Sequence, residues 1–254
     1  MSGPLTIGTI LAMSGVMAAA PAVRAAAPGE VGMLFHVQAR DGGKEAFEAG
    51  YKRHLEWHRR NRDTWRWPAW EILTGERAGH YLEGTFGHEW PGLDRRLKPA
   101  EDAADHETNV DPYVSHHVRH ILIRRSGVSR GHALEDADPA PFLRLVTYRL
   151  RPGTEEAFEQ VLTAMHRATE QVDWHKSYAW YALVDGGPLP LYLLVIPVRD
   201  FAGLAPSEQT IPGILSGGPQ EGQRHLAAYR ESVVTVRSEL LRFREDLSYL
   251  PKAP

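Results

Sequence analysis

The chain has 254 residues, 43% hydrophobic and 24% charged, the balance of a globular protein long enough for one large domain or two small ones. A formal net charge of -3 and the lack of any Lys/Arg-rich segment leave no electrostatic footprint for nucleic acid. The absence of cysteine excludes disulfides, thiolate metal ligands and cysteine nucleophiles.

From the amino end, the first charged side chain is Arg24. Before it, Leu5 to Ala20 is apolar and small, and Val23-Arg24-Ala25 has the small residues that flank a signal cleavage site. Residues 1–27 are therefore read as a secretory signal, cleaved after Ala25, although no basic residue precedes the apolar core. The rival is a retained anchor, for which the segment is barely long enough. No other stretch could cross a membrane. An exported chain without cysteine points to a bacterial periplasm or the exterior.

The rest of the chain repeats. Residues 34–93 align without a gap to 145–204 at an offset of 111, with 12 identities in 60 positions. The anchor is Arg40-Asp-Gly-Gly-Lys-Glu-Ala-Phe-Glu48 against Arg151-Pro-Gly-Thr-Glu-Glu-Ala-Phe-Glu159, followed by Gly75/Gly186, Tyr81-Leu82/Tyr192-Leu193 and Gly92-Leu93/Gly203-Leu204. Each copy predicts a strand (Val31 to Ala39; Phe142 to Leu150), a glycine turn, and a helix of about 16 residues from Lys44 or Glu155. Phe47, Tyr51, His54, Leu55 and His58 share one face of the first helix, and Phe158, Leu162, Met165, His166 and Thr169 form the matching stripe. An aromatic strand follows (Trp65 to Leu73; Lys176 to Val184), then a third (His80 to Phe86; Leu191 to Val198). Trp90 and Phe201 open a second helical region, expected to carry a long irregular insertion. The fourth strand is Val114 to Arg125 and Val233 to Phe243, matched at an offset of 118, which puts seven extra residues in the second copy, near Ile211 to Gln220. Ser126 to Pro141 reads as a linker between modules 28–130 and 131–254.

Strand–helix–strand–strand–helix–strand is the ferredoxin-like βαββαβ unit. One unit leaves a sheet face bare, and two can bury those faces against each other. The expected fold class is α+β, with tandem ferredoxin-like modules forming a pseudo-symmetric two-sheet barrel. The turn–helix anchor, the aromatic second strand and the Tyr-Leu third strand resemble the dimeric α+β barrel superfamily, with two modules fused in one chain. The resemblance covers most of residues 31–250. It implies a monomer with an internal pseudo-dimer, or a homodimer of it. That superfamily includes cofactor-free monooxygenases, haem enzymes and proteins without known activity, so it does not choose a reaction.

The two copies differ most in histidine, since ten of 13 lie between His36 and His132. His54 and His58 stand where the second copy has Met165 and Thr169, and their spacing of four can chelate a metal on one helix face. Glu83 replaces Leu194 and His80 replaces Leu191, so His54, His58 and Glu83 are the candidate ligands of a two-histidine, one-carboxylate site. The plainer reading is a solvated, cationic helix end around Glu56-Trp-His-Arg-Arg-Asn-Arg62, and one residue of strand register would turn Glu83 away.

His36, His116, His117 and His120 form a second group, in which His36 and His120 are candidate ligand or acid–base residues and an exposed or barrel-lining polar row is the alternative. Trp67 shares a strand face with Trp65 and is a packing residue or a platform for a flat ligand. P-loop, GxGxxG and HExxH motifs are all absent. The first expectation is small-molecule binding in the first module. Oxygenase-type or haem- or metal-dependent enzyme activity and a non-catalytic envelope protein are the alternatives. Haem or a divalent metal is compatible with the sequence, and neither is required by it.

Overall fold

A computed structural model describes residues 27, 29–131, 133–171, 176–205 and 220–251. The export signal and nearly all of the expected insertion lie outside the described residues.

The first half runs β1 (Val31–Ala39), α1 (Lys44–Asn61), β2 (Ala69–Ile72), β3 (Tyr81–His88), α2 (Trp90–Leu93), α3 (Pro99–Asn109) and β4 (Val114–Arg124). The second runs β5 (Phe142–Leu150), α4 (Glu155–Gln171), β6 (Ala179–Asp185), β7 (Leu191–Val198), α5 (Gln220–Ser232) and β8 (Val233–Phe243). Both halves follow the βαββαβ order. In place of the irregular insertion expected after Trp90, the first half carries the 11-residue helix α3. Trp65 lies outside β2, and Trp67 makes only an isolated bridge to Tyr249.

The expected pair of sheets is instead one closed barrel, β1-β3-β2-β8-β5-β7-β6-β4. The last strand of each half stitches to the second strand of the other, through Trp70–Ile72 on Leu241–Phe243 and Ile121–Arg124 on Tyr181–Asp185. Edge strands carry unpaired backbone groups, and this cross-pairing satisfies them. The strand order is consistent with duplicated ferredoxin-like modules.

The register corrects the fourth-strand alignment. Ala39 pairs with Val114 and Leu150 with Val233, both after the same register shift, so β8 follows β4 by 119 positions and the second half carries eight extra residues. Arg119 therefore corresponds to Ser238 rather than Arg237, and His120 to Glu239. The short match of Val118-Arg119 to Val236-Arg237 was one residue out of phase, which exchanges sheet faces.

Strand parity sorts residues between three cores. Leu34, Trp70, Leu82, Leu122, Leu145, Tyr181, Leu193 and Leu241 fill the barrel interior. Met33, Phe35 and Val37, of opposite parity, meet Phe47, Tyr51 and Leu55 of α1 outside it. Val146, Tyr148 and Trp180 meet Phe158, Leu162 and Met165 of α4 on the other side. Burying each such side chain contributes about 1.5–3 kcal/mol.

The repeated identities have a structural cause. Glu48 accepts from the Tyr81 hydroxyl at 2.6 Å and from Arg244 at 2.7 and 2.8 Å. Glu159 accepts from Tyr192 at 2.9 Å and pairs with Arg125 at 2.9 Å. Each arginine comes from the end of the other half's last strand, so the two clamps lock the halves reciprocally. No helix among the described residues is long and apolar enough to cross a membrane, which says nothing of strands.

Candidate metal centre

Between α1, α3 and the outer face of the first-half sheet lies a cavity of about 250 Å³, lined by Phe35, Tyr51, His54, His58, Trp67, Glu83, Arg96, Asp102, Ala103, His106, Asp111, His117 and Arg119. Parity puts Glu83 on this face, because it pairs with Phe35, and His117 likewise, because it pairs with Val37. Gly50 lets α3 approach α1: a Cβ there would overlap the Asn109 carbonyl and crowd Tyr113. In the second half that position is Val161, and it is fully buried in core.

His54 and His58 are buried, His58 to 3% exposure, so the solvated helix end is ruled out for these two side chains. Each offers Nδ1 to a carboxylate, His54 to Asp105 at 2.9 Å and His58 to Asp63 at 2.8 Å. Asp63 reaches back because Arg62 ends α1 in the left-handed conformation at φ 55, letting the Asp63 amide donate to the His58 carbonyl. The same carboxylate accepts from Trp67 Nε1 at 3.0 Å, and the Trp67 ring lies 5.2 Å from that of His58. Trp67 thus helps orient His58.

With Nδ1 engaged, both Nε2 atoms face one oxygen, Asp102 Oδ1, at 3.5 Å from His54 and 3.7 Å from His58. That oxygen is buried and has no hydrogen-bond partner among the described residues. Four ligands about 2.1 Å from a tetrahedral cation stand about 3.4 Å apart, so these separations suit a cation and are too long for hydrogen bonds. Carboxylate-held histidines are the usual support of a metal ligand. Arg96 approaches the other Asp102 oxygen at 3.7 Å.

Burial dominates the electrostatics. It lowers His54 to about 4 against the opposing pull of Asp105, with His58 adding to the lowering. It raises Asp102, although His58 and Arg96 oppose it. It raises Glu83 to about 7, against the hydrogen bond from Tyr51 and aided by Asp102. His106 and His117 are both lowered by burial first and by neighbouring histidines second. Neutral imidazoles are the form that binds metal.

Of the expected set, all three residues line the cavity, in two groupings. The structure groups His54 and His58 with Asp102, while Glu83 falls in a neighbouring set with His106 and His117. Glu83 stands on β3, and Asp102 on α3 lies nearer the helix pair. His36 and His120 are not at this cavity, since parity with Leu34 turns them to the inside of the barrel wall. There His36 hydrogen-bonds His80 at 2.9 Å and its ring lies 5.5 Å from that of His116. Burial, with Arg77 and the surrounding histidines, lowers His36 to about 3.

Asp63, Asp102, Asp105 and His106 escaped sequence reasoning. Asp102-Ala-Ala-Asp105-His106 carried a signal, because three- and four-residue steps place its polar groups on one helical face. It has no counterpart in the repeat alignment, so the symmetry argument passed over it.

No family model matches the sequence, and no curated protein matches it. Solved structures do. An anthrone oxidase-like protein superposes with a TM-score of 0.56 at 8% identity, covering 89% of this chain and 95% of the other. Chlorite dismutase from Candidatus Nitrospira defluvii, in complex with imidazole, superposes at 0.51 with 9% identity, covering 87% and 94%. At such identities the likeness concerns architecture alone: the chain has the dimeric α+β barrel fold, closed here within one polypeptide.

Proposed function

We propose that this chain is a metal-dependent enzyme of the oxidoreductase class, holding a first-row divalent cation on His54, His58 and Asp102 and acting on a small molecule in the adjoining cavity. One observation carries the reading: two buried Nε2 atoms and an unbonded buried carboxylate oxygen converge, and both imidazoles are held from behind by carboxylates. Two histidines and one carboxylate leave coordination positions open and suit iron(II) among the divalent metals. Such a cation supplies Lewis acidity and, if iron, redox chemistry.

The chain's own groups supply the rest. Glu83, lifted by burial to about 7, holds an exchangeable proton near neutrality and is placed to act as acid or base within the cavity. Tyr51 hydrogen-bonds its carboxyl and fixes its direction. Arg96 and Arg119 line the same space and favour a substrate with anionic or oxygen-rich groups. At about 250 Å³ the cavity lies below the ~300–1,000 Å³ of most ligand pockets, so it suits a small molecule beside a bare cation better than a haem macrocycle. Oxidase-like and chlorite dismutase proteins built on the same barrel are compatible with redox chemistry here.

The test is titration of purified, chelator-stripped protein with iron(II), manganese(II), cobalt(II) and zinc(II) separately, followed by calorimetry and thermal melting, with haemin as a parallel arm. Binding of a divalent cation that Asp102→Ala removes supports the reading. Indifference to every cation, or a haemin Soret shift lost in His58→Ala, overturns it. Metal binding without metal-dependent turnover of small oxidisable substrates would reduce the site to a structural or binding role.

We further read residues 1–27 as an export signal and 28–130 and 131–254 as the two modules. Amino-terminal sequencing of the mature protein, expected to begin at Ala26, checks the first, and separate expression of each module checks the second.

A further inference from the structure

The first cation accounts for His54, His58 and Asp102 and leaves a second set of ligand atoms in the same cavity without a use. Glu83, His106 and His117 each bring one ligand atom within 4.8 Å of the others. His106 repeats the arrangement of the deeper histidines: Nδ1 is 2.9 Å from Asp111 Oδ1, so Nε2 remains as its ligand atom. The two sets adjoin. The His54 and His106 rings are edge to face at 5.1 Å, and Asp102 and His106 lie one turn apart on α3.

Resting on the metal reading above, we infer that the centre is dinuclear, with a second divalent cation held by Glu83, His106 and His117 at the mouth of the cavity; Glu83 is then an ionised ligand, and its acid–base role belongs only to the form with the deep cation alone. Burial orders the two positions. His54, His58 and Asp102 are all buried, whereas only Glu83 of the second set is, with His106 half-buried and His117 exposed. The exposed side opens on a surface groove of about 420 Å³, which shares His117 and Arg119 with the cavity and is otherwise lined by Ile121, Asp185 and Gly186. An incoming substrate therefore reaches the mouth cation first. The deep cation is the enclosed partner, and a substrate oxygen between them could bind both. The second half has no such set, since Leu194 and Val236 occupy the positions of Glu83 and His117.

Metal stoichiometry tests this. Chelator-stripped protein is titrated with cobalt(II), read by calorimetry and visible absorbance, and with manganese(II), read by electron paramagnetic resonance. Two equivalents per chain are expected, with spin coupling between the two manganese ions. His117→Ala and Glu83→Leu should each remove one equivalent and the coupling, and so should His58→Ala. His117→Gln, with circular dichroism and the melting temperature of every variant, guards against misfolding. A single equivalent that survives His117→Ala and is lost in His58→Ala overturns the dinuclear centre and leaves the mononuclear reading intact. Two equivalents that persist in both His117→Ala and Glu83→Leu also overturn it. No bound metal at all removes both readings.

Discussion

The helix–sheet layers of the two halves share a scaffold and fill it with opposite chemistry. Against the second sheet, Phe158, Leu162 and Met165 pack on Tyr148, Trp180 and Leu194, and Thr169 hydrogen-bonds Tyr178. Against the first, the positions of Met165, Thr169 and Leu194 hold His54, His58 and Glu83, with α3 adding Asp102 and His106. One layer is a sealed hydrophobic core and the other a cavity of ionisable groups. An apolar filling is the more stable solution, and buried polar groups without partners lower stability. The lesson is that the first half carries groups a fold alone would not require, and their convergence is what the metal proposal rests on.

The comparison can be broken most sharply at Asp102. Asp102→Ala should weaken metal binding at least ~100-fold while the second-half core is undisturbed, as read by cation titration. Asp105→Asn or Asp63→Asn leaves the ligands in place and removes their support, so a smaller loss of about 10–100-fold is expected.

What the halves share can be tested through the clamps. Removing Arg244 leaves Glu48 its bond from Tyr81, and removing Arg125 leaves Glu159 its bond from Tyr192, so each alanine variant should lower stability by about 1.5–3 kcal/mol in denaturant melts. A loss confined to one clamp would show that the halves are not mechanically equivalent.

Transplanting the difference is the next test. Met165→His puts an imidazole into the sealed second core without the carboxylates that hold His54, so a cost of about 2 kcal/mol is expected in chemical denaturation.

The last test is a pH dependence at Glu83. Its pKa rises from 4.5 to about 7 on folding, so the metal-free protein gains from neutral Glu83 at low pH and loses that gain as pH climbs through this window. Glu83→Gln cannot ionise. Its stability relative to the wild type should rise between about pH 4.5 and 7, levelling off at about 3 kcal/mol. Tyr51, Asp102, His106 and His117 line the same cavity and should contribute equally to both proteins. A difference that stays flat with pH would place Glu83 in contact with water.

Much of this was legible in the chain. The boundaries of β1, β5, β7 and β8 follow from apolar patterning and glycine turns, which depend on neighbours in sequence. The special standing of His54, His58 and Glu83 followed from comparing the copies, because Met165 and Leu194 show what the scaffold itself asks for at those positions. The fourth strand was less legible. Its few matching residues allowed a slip of one position, and only hydrogen-bond pairing with β1 and β5 settles the phase.

The sequence by itself determined the element order and the half of the molecule where polar groups gather. Only the tertiary structure decided that the sheet closes into one barrel, that His36 and His120 turn to its inside, and that Asp102 groups with the histidine pair while Glu83 groups with His106 and His117. The physical reason is distance along the chain. Asp102 lies 44 positions after His58, and no local preference encodes their meeting, which arises when Gly50 lets α3 settle on α1.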